Sequence, residues 1–207
     1  MWWQRHLSEF VTFFLVINPF AVLPFFLAVT AGLPARSQRK VALNASLIAF
    51  AVLVFFVFAG AFLLEQMGVP IRAFQIAGGI VLFLLALDFI RGDTPRADPH
   101  DPAQGLMALA VYPIGIPKIA GPGAMLAAIL LTDDDRFNLP GQLATIGVLA
   151  LVLAITFLSL LAAGPISRLI GVAGASVIAR VTGMLLAALA VSLVLSAVGE
   201  WLNLPKL

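Results

Sequence analysis

The chain has no cysteine, one tyrosine, two histidines and few charges, with Asp, Glu, Lys and Arg together making up only 11% of 207 residues. Each shortage excludes something. Without cysteine there is no disulfide framework and no thiolate metal site. His6 and His100 lie in flanking or loop segments and are poor metal ligands. Soluble domains carry charge on about a quarter of their residues, and a chain this poor in charge cannot cover itself in water. The formal net charge of +2 comes from single residues spread over connecting segments. It forms no basic patch, and nucleic acid is not an expected partner.

What is present is apolar length. Hydrophobic residues make up 62% and the mean hydropathy is +1.09. Long apolar stretches cover about 7–29, 41–64, 71–90, 106–131, 143–164 and 176–198. Each is near the roughly 20 residues that cross a hydrocarbon core about 30 Å thick. The expected fold class is an all-α membrane protein with six transmembrane helices. The first run is too long for the apolar region of a signal peptide and is interrupted at Asn18-Pro19, so it is read as a span of the mature protein. Lys and Arg set orientation. Arg36, Arg39, Lys40, Arg91, Arg96, Arg168 and Arg180 fall on one side and Arg5, Arg72, Arg136 and Lys206 on the other. Seven against four, or six if Arg180 lies within its helix, places both termini outside.

Two of the runs contain helix breakers. Asn18-Pro19 and Pro24 interrupt the first, while Pro113, Pro117 and Gly121-Pro122-Gly123 interrupt the fourth. Proline removes a backbone donor and clashes with the preceding turn. In lipid, such breaks persist only where they are buried in protein or line a wet cavity. Paired breaks in corresponding halves point to a transporter's binding site.

The halves align at a constant offset. Pro19 and Pro122 lie 103 positions apart, as do Gly68 and Gly171, and Gly79 and Gly183 lie 104 apart. This divides the chain into a first three-helix repeat over 1–90, a hydrophilic connector over 91–105 and a second three-helix repeat over 106–207. Three spans per half make the repeats inverted. The Lys/Arg contrast between Arg36, Arg39 and Lys40 in one loop and Asp133-Asp134-Asp135-Arg136 in its counterpart fits that arrangement. The alternative is chance similarity among Gly- and Pro-rich apolar segments.

The sequence Asn18-Pro19-x-Ala21-x-x-Pro24-x-Phe26 with Thr30 after it, Ala77-Gly78-Gly79, Pro113-x-x-Ile116-Pro117-x-x-Ala120-Gly121-Pro122-Gly123-Ala124 and Arg180-x-x-Gly183 appear in that order. With these motifs the chain resembles, over essentially its whole length, the MarC family of inner-membrane proteins, also called the neutral amino acid transporter family. The resemblance implies a six-span inner-membrane protein. By analogy with a characterised archaeal branch, it also implies transport of small neutral amino acids such as glycine and alanine, coupled to protons. Two positions depart from the family pattern. Val22 stands where a polar residue is usual, and Lys118 where an apolar one is usual, so the substrate here can differ.

A broken helix offers a half-helix N-terminus with free N–H groups and about half a positive charge, which suits a carboxylate. The carbonyls ending the preceding half-helix suit an ammonium group. The candidate substrate site is therefore Asn18, Pro19 and Pro24 with Gly121, Pro122, Gly123 and Ala124. The alternative is that both breaks are packing kinks, with Asn18 as a helix cap. Lys118 within a span is costly and a functional candidate. It can bind an anionic group, take part in proton coupling, or snorkel to an interface. Asp88 can pair with Lys118, carry a coupling proton, or sit as an interfacial charge beside Arg91. Ala77, Gly78 and Gly79 form a helix-packing surface. No His-Glu-x-x-His, no Gly-x-Ser-x-Gly and no pair of intramembrane aspartates occurs, so an enzyme is not expected, nor is a cofactor. Rival readings are an exporter or channel for another metabolite, and a structural or assembly factor with no transport. Lipid is the surrounding partner, and the small bundle is a candidate for homo-oligomerisation.

Overall fold

The computed structural model describes residues 2–30, 32–91, 105–132 and 139–202, and every regular element among them is helical. The helices are α1 (Trp2–Ile17), α2 (Pro19–Val29), α3 (Ala35–Gln66), α4 (Ile71–Arg91), α5 (Leu106–Leu109), α6 (Pro122–Thr132), α7 (Leu139–Leu161) and α8 (Ala163–Trp201). An irregular segment, Ala110–Ile119, joins α5 to α6. Five helical stretches are long and apolar enough to cross a membrane, and the bent pair Leu106–Ile119 with Pro122–Thr132 makes a sixth if it counts as one span. Most of the expected connector (92–104) and the aspartate loop (133–138) lie outside the described residues.

Lipid forces these apolar stretches into helices, because no other open backbone satisfies its own polar groups there. Their outer faces carry exposed Leu47, Phe55, Phe58, Leu151, Leu158 and Leu195. Their inner faces are built from small residues. On α3, Ala42, Ala45 and Ala49 repeat at helical spacing and are fully buried, which lets neighbouring backbones approach closely. The helix packs there on the irregular segment, α6 and α7.

The most extensive helix pair is α4 with α8, which run antiparallel. Arg72 meets Glu200 at 3.5 Å at one end, and Gln75 Nε2 donates to Leu193 O at 3.1 Å and Ser196 Oγ at 3.0 Å. Deeper in the pair, Gly79 lies against Val194 and the Ala190 carbonyl, while Gly183 lies against Ala86, Phe89 and Ile90. A Cβ on Gly79 would stand 2.7 Å from Val194 Cγ2, and one on Gly183 would stand 2.9 Å from Phe89 Cβ.

The structure differs from the expected spans in two places. Arg36, Arg39 and Lys40, expected in a loop, form the first turns of α3. The loop expected between 164 and 176 is helix, since α8 is continuous from Ala163 and places Arg168 and Arg180 within it. Pro165 falls in the first turn, where its missing N–H costs nothing, and the glycines that follow weaken a helix without ending it.

Gly79→Leu and Gly183→Leu are expected to lower the unfolding temperature in detergent, through about 1–3 kcal/mol of overpacking each. Gly147→Ala on α7, where nothing lies within 4 Å of the added methyl, should leave it unchanged or raise it.

Candidate functional site

The first break is made by one residue. Asn18 adopts φ 49 and ψ 71, the left-handed region, and no other non-glycine residue among those described has positive φ. Asparagine tolerates this conformation better than most side chains. Its Oδ1 accepts the Ala21 N–H at 3.2 Å and caps α2, while its own N–H still closes the last turn of α1 on Phe14 O at 2.9 Å. Pro19 then occupies the first helical position, where no donor is required. The Nδ2 of Asn18 is buried with no hydrogen-bond partner, and an orphan buried donor in a native fold calls for an explanation. At the far end of α2, Thr30 Oγ1 donates to Phe26 O at 2.7 Å.

The second break is longer. Tyr112 and Ile116 are extended, at φ/ψ of −129/129 and −132/126. Each precedes a proline, which disfavours helical dihedrals at that position. Gly115 presses this segment against the Ala45 carbonyl of α3, and Gly121 approaches the Pro117 carbonyl so closely that a Cβ would stand 2.7 Å from it. Helix α6 then restarts at Pro122. Leu106–Ile119 and Pro122–Thr132 meet at a bend of 58°.

The two breaks meet at one cavity of about 400 Å³. Val16, Ile17, Ala21 and Val22 line it from the first break. The second break contributes Pro117, Lys118, Ile119, and Gly121, Pro122, Gly123 and Ala124. Helix α4 closes the third side with Leu84, Leu85, Asp88 and Phe89 among others. Of the residues expected at a substrate site, the four of the second break line the cavity together with Lys118 and Asp88. Asn18 and Pro19 are buried at the first break and are not among the lining residues; Pro24, expected to interrupt the run, instead lies within the continuous helix α2. Gly78 packs against Leu126 of α6, Gly79 against α8, and Ala77 is exposed.

Lys118 is held by rings. Its Nζ lies 5.1 Å from the Phe25 ring centroid, on α2, and 5.7 Å from that of Phe89, on α4. Cation–π attraction of this kind stabilises a desolvated ammonium by about 2 kcal/mol. Among the described residues neither Lys118 nor Asp88 forms a salt bridge within 4 Å, so opposite charges line one cavity without neutralising each other directly. Sequence reading did not find Phe25 or Phe89, since only the fold brings them to Lys118. It also passed over Glu9, which is buried on α1 and bonded to Arg5 Nε and His6 Nδ1 at 3.0 Å each. The acid–base spacing along one turn was the available signal.

These elements define a helical integral membrane protein in which two interrupted stretches enclose a cavity of mixed charge. The model of the MarC family integral membrane proteins matches residues 3–202. The chain is 34% identical over 196 residues to a UPF0056 membrane protein of Archaeoglobus fulgidus, covering 93% of this chain and 92% of that one. It is 31% identical over 202 residues to the UPF0056 inner membrane protein YhgN of Escherichia coli, covering 95% and 98%. It is 29% identical over 190 residues to the UPF0056 membrane protein YvbG of Bacillus subtilis, covering 89% and 90%. No solved structure matches. The chain belongs to the MarC family.

Asn18→Ala removes the cap bond and places a Cβ-bearing residue without local bonding in the left-handed region, so it should lower stability by about 1–2 kcal/mol. Asn18→Gly, which accepts positive φ, should cost only a few tenths. Thermal unfolding of the two purified variants checks the order.

Proposed function

We propose that the protein is an inner-membrane secondary transporter of small neutral amino acids, glycine and alanine first among them, with the proton as coupling ion, and that it is not an enzyme. The observation that carries this reading is the cavity shared by the two breaks and lined by Lys118 and Asp88. Its volume of about 400 Å³ is near the small end of ligand pockets, roughly 300–1,000 Å³. A zwitterion brings a carboxylate and an ammonium close together. The carboxylate is matched to Lys118 and to the positive N-terminus of α6 at Pro122. The ammonium is matched to Asp88 and to carbonyls left open at the break. Apolar walls from Val22, Ile119 and Leu85 suit a hydrogen or methyl side chain. Asn18 and Pro19 shape the first break from behind this wall.

An inverted repeat of 1–90 and 106–207 underlies the reading, because alternating access in such folds is a rocking of one repeat against the other. The helix packing supports it. Helices α2 and α6 each have 11 residues and open on a proline, 103 positions apart. Gly79 packs on Ala190 and Val194, while Gly183 packs on Ala86 and Ile90, and each residue of the first set is 104 positions from its counterpart in the second. Likewise α2 packs on α8 as α6 packs on α4, and α1 and α2 pack on α7 as the irregular segment and α6 pack on α3. Exchanging the halves maps these contacts onto one another, as a pseudo-two-fold axis between α4 and α8 requires. With Arg180 inside α8, six Lys and Arg against four favour both termini outside. The exposed apolar faces suit lipid and a second copy of the chain.

A second reading, an exporter or channel for another small metabolite with an anionic group, is favoured by Lys118, which the ordinary family pattern lacks. Labelled glycine and alanine uptake into proteoliposomes distinguishes them. Uptake should rise under an inward proton gradient. Lys118→Met should weaken apparent affinity about 10–100-fold, since a hydrogen bond to a charged group contributes about 1.5–3 kcal/mol. Absence of uptake by the wild-type protein would overturn the amino acid reading, and uptake of an anionic metabolite in the same vesicles would establish the second.

A further inference from the structure

We propose that Glu9, not Asp88, is the carboxylate that carries the coupling proton, an inference that rests on the transport reading above. Glu9 lies within the apolar stretch Trp3–Leu23, yet its side chain is only 2% exposed. An ionisable group buried at membrane depth is costly and is a functional candidate by default. An acid–base pair one turn apart is ordinary on a wet helix surface and contributes only a few tenths of a kcal/mol there. Burial changes that balance, because desolvating the carboxylate costs several kcal/mol unless both oxygens are bonded. Both are: Arg5 Nε reaches Oε1 and His6 Nδ1 reaches Oε2, each at 3.0 Å.

The three groups form a graded series from the surface inward. Arg5 is 43% exposed, His6 13% and Glu9 2%. The imidazole of His6 lies between the exposed guanidinium and the buried carboxylate, its Nδ1 on Glu9 Oε2 and its Nε2 buried as well. The charges on the helices that pack on α1 are few among the described residues, and Asp133, Asp134, Asp135 and Arg136, between α6 and α7, lie outside them. Neither α6 nor α7 carries any ionisable side chain. On α8, Arg180 and Glu200 are exposed, and the Arg168 side chain lies outside the described residues. On α1 itself Arg5 and His6 are the other two ionisable groups.

Glu9 is connected to the cavity by its own helix. Glu9, Phe13 and Val16 repeat at helical spacing and are all buried, so Glu9 and the cavity-lining Val16 share one face of α1. They stand about 10 Å apart along the axis at 1.5 Å per residue. The helix ends at the left-handed Asn18, a point about which its packing can pivot. Charging Glu9 changes how this face seats against α6 and α7, and the same face walls the substrate cavity.

The test uses the full chain in proteoliposomes with labelled alanine, read in two modes. Wild-type protein should accumulate alanine under an inward proton gradient and also exchange it at equal concentrations on both sides. Glu9→Gln should lose the gradient-driven accumulation and retain exchange, a split that simple misfolding does not give. Glu9→Asp should restore accumulation, and Asp88→Asn, which removes a proposed substrate ligand, should weaken both modes together rather than accumulation alone. Gradient-driven accumulation by Glu9→Gln equal to wild type would overturn the proposal, as would accumulation driven by sodium alone, and so would loss of both modes in Glu9→Gln and in Glu9→Asp alike. Absence of both modes in the wild type would instead remove the amino acid reading itself.

Discussion

A peptide group freed inside lipid has no water to bond to, and each bare N–H or C=O costs several kcal/mol. The rest of this structure follows from where those costs are met. Most of the chain meets them with continuous helix. At Asn18 a single side chain supplies the missing acceptor and a single proline removes a donor that would otherwise need one. Over Ala110–Ile119 two prolines spread the interruption across ten residues, and α3 answers with a face of alanines against which Gly115 can press. Because both interruptions must be sheltered from lipid, they are sheltered by each other. The cavity between them is the consequence.

Charge is placed under the same constraint. Lys118 is kept off lipid by the rings of Phe25 and Phe89, and Asp88 faces the same space from α4. Glu9 is sheltered differently, by two bonded neighbours on its own helix. The protein thus has one region where opposite charges are left unpaired around a cavity and another where a carboxylate is tightly bonded. The first arrangement suits a ligand that carries both charges. The second suits a group whose charge state sets how its helix face seats against its neighbours. The two are joined by one face of α1, which carries both Glu9 and the cavity-lining Val16.

The breaks were legible in the sequence because proline and asparagine act locally: Pro19, Pro113 and Pro117 forbid specific backbone states whatever surrounds them. The offset of 103 between Pro19 and Pro122 was legible for the same reason, and the eleven-residue half-helices start at those positions. The start of α3 was not, since Arg36, Arg39 and Lys40 read as loop by charge yet are good helix formers at a helix end. Nor was the continuity of α8, because Gly171 and Gly174 weaken a helix without ending it. The partners of Lys118 come from α2 and α4, far off in the chain, and no local pattern encodes them. Glu9 was written in plain view, but its spacing from Arg5 is that of an ordinary surface pair, and only burial distinguishes the two.

The central claim is that both interruptions face one cavity that receives the substrate. The chain contains no cysteine, so single thiols can be introduced without background. Val22→Cys from the first break and Ala124→Cys from the second should both react with a small water-soluble thiol reagent in proteoliposomes. Glycine should slow both reactions with the same concentration dependence. Two thiols that label at rates indifferent to glycine, or only one of which it protects, would contradict a shared site.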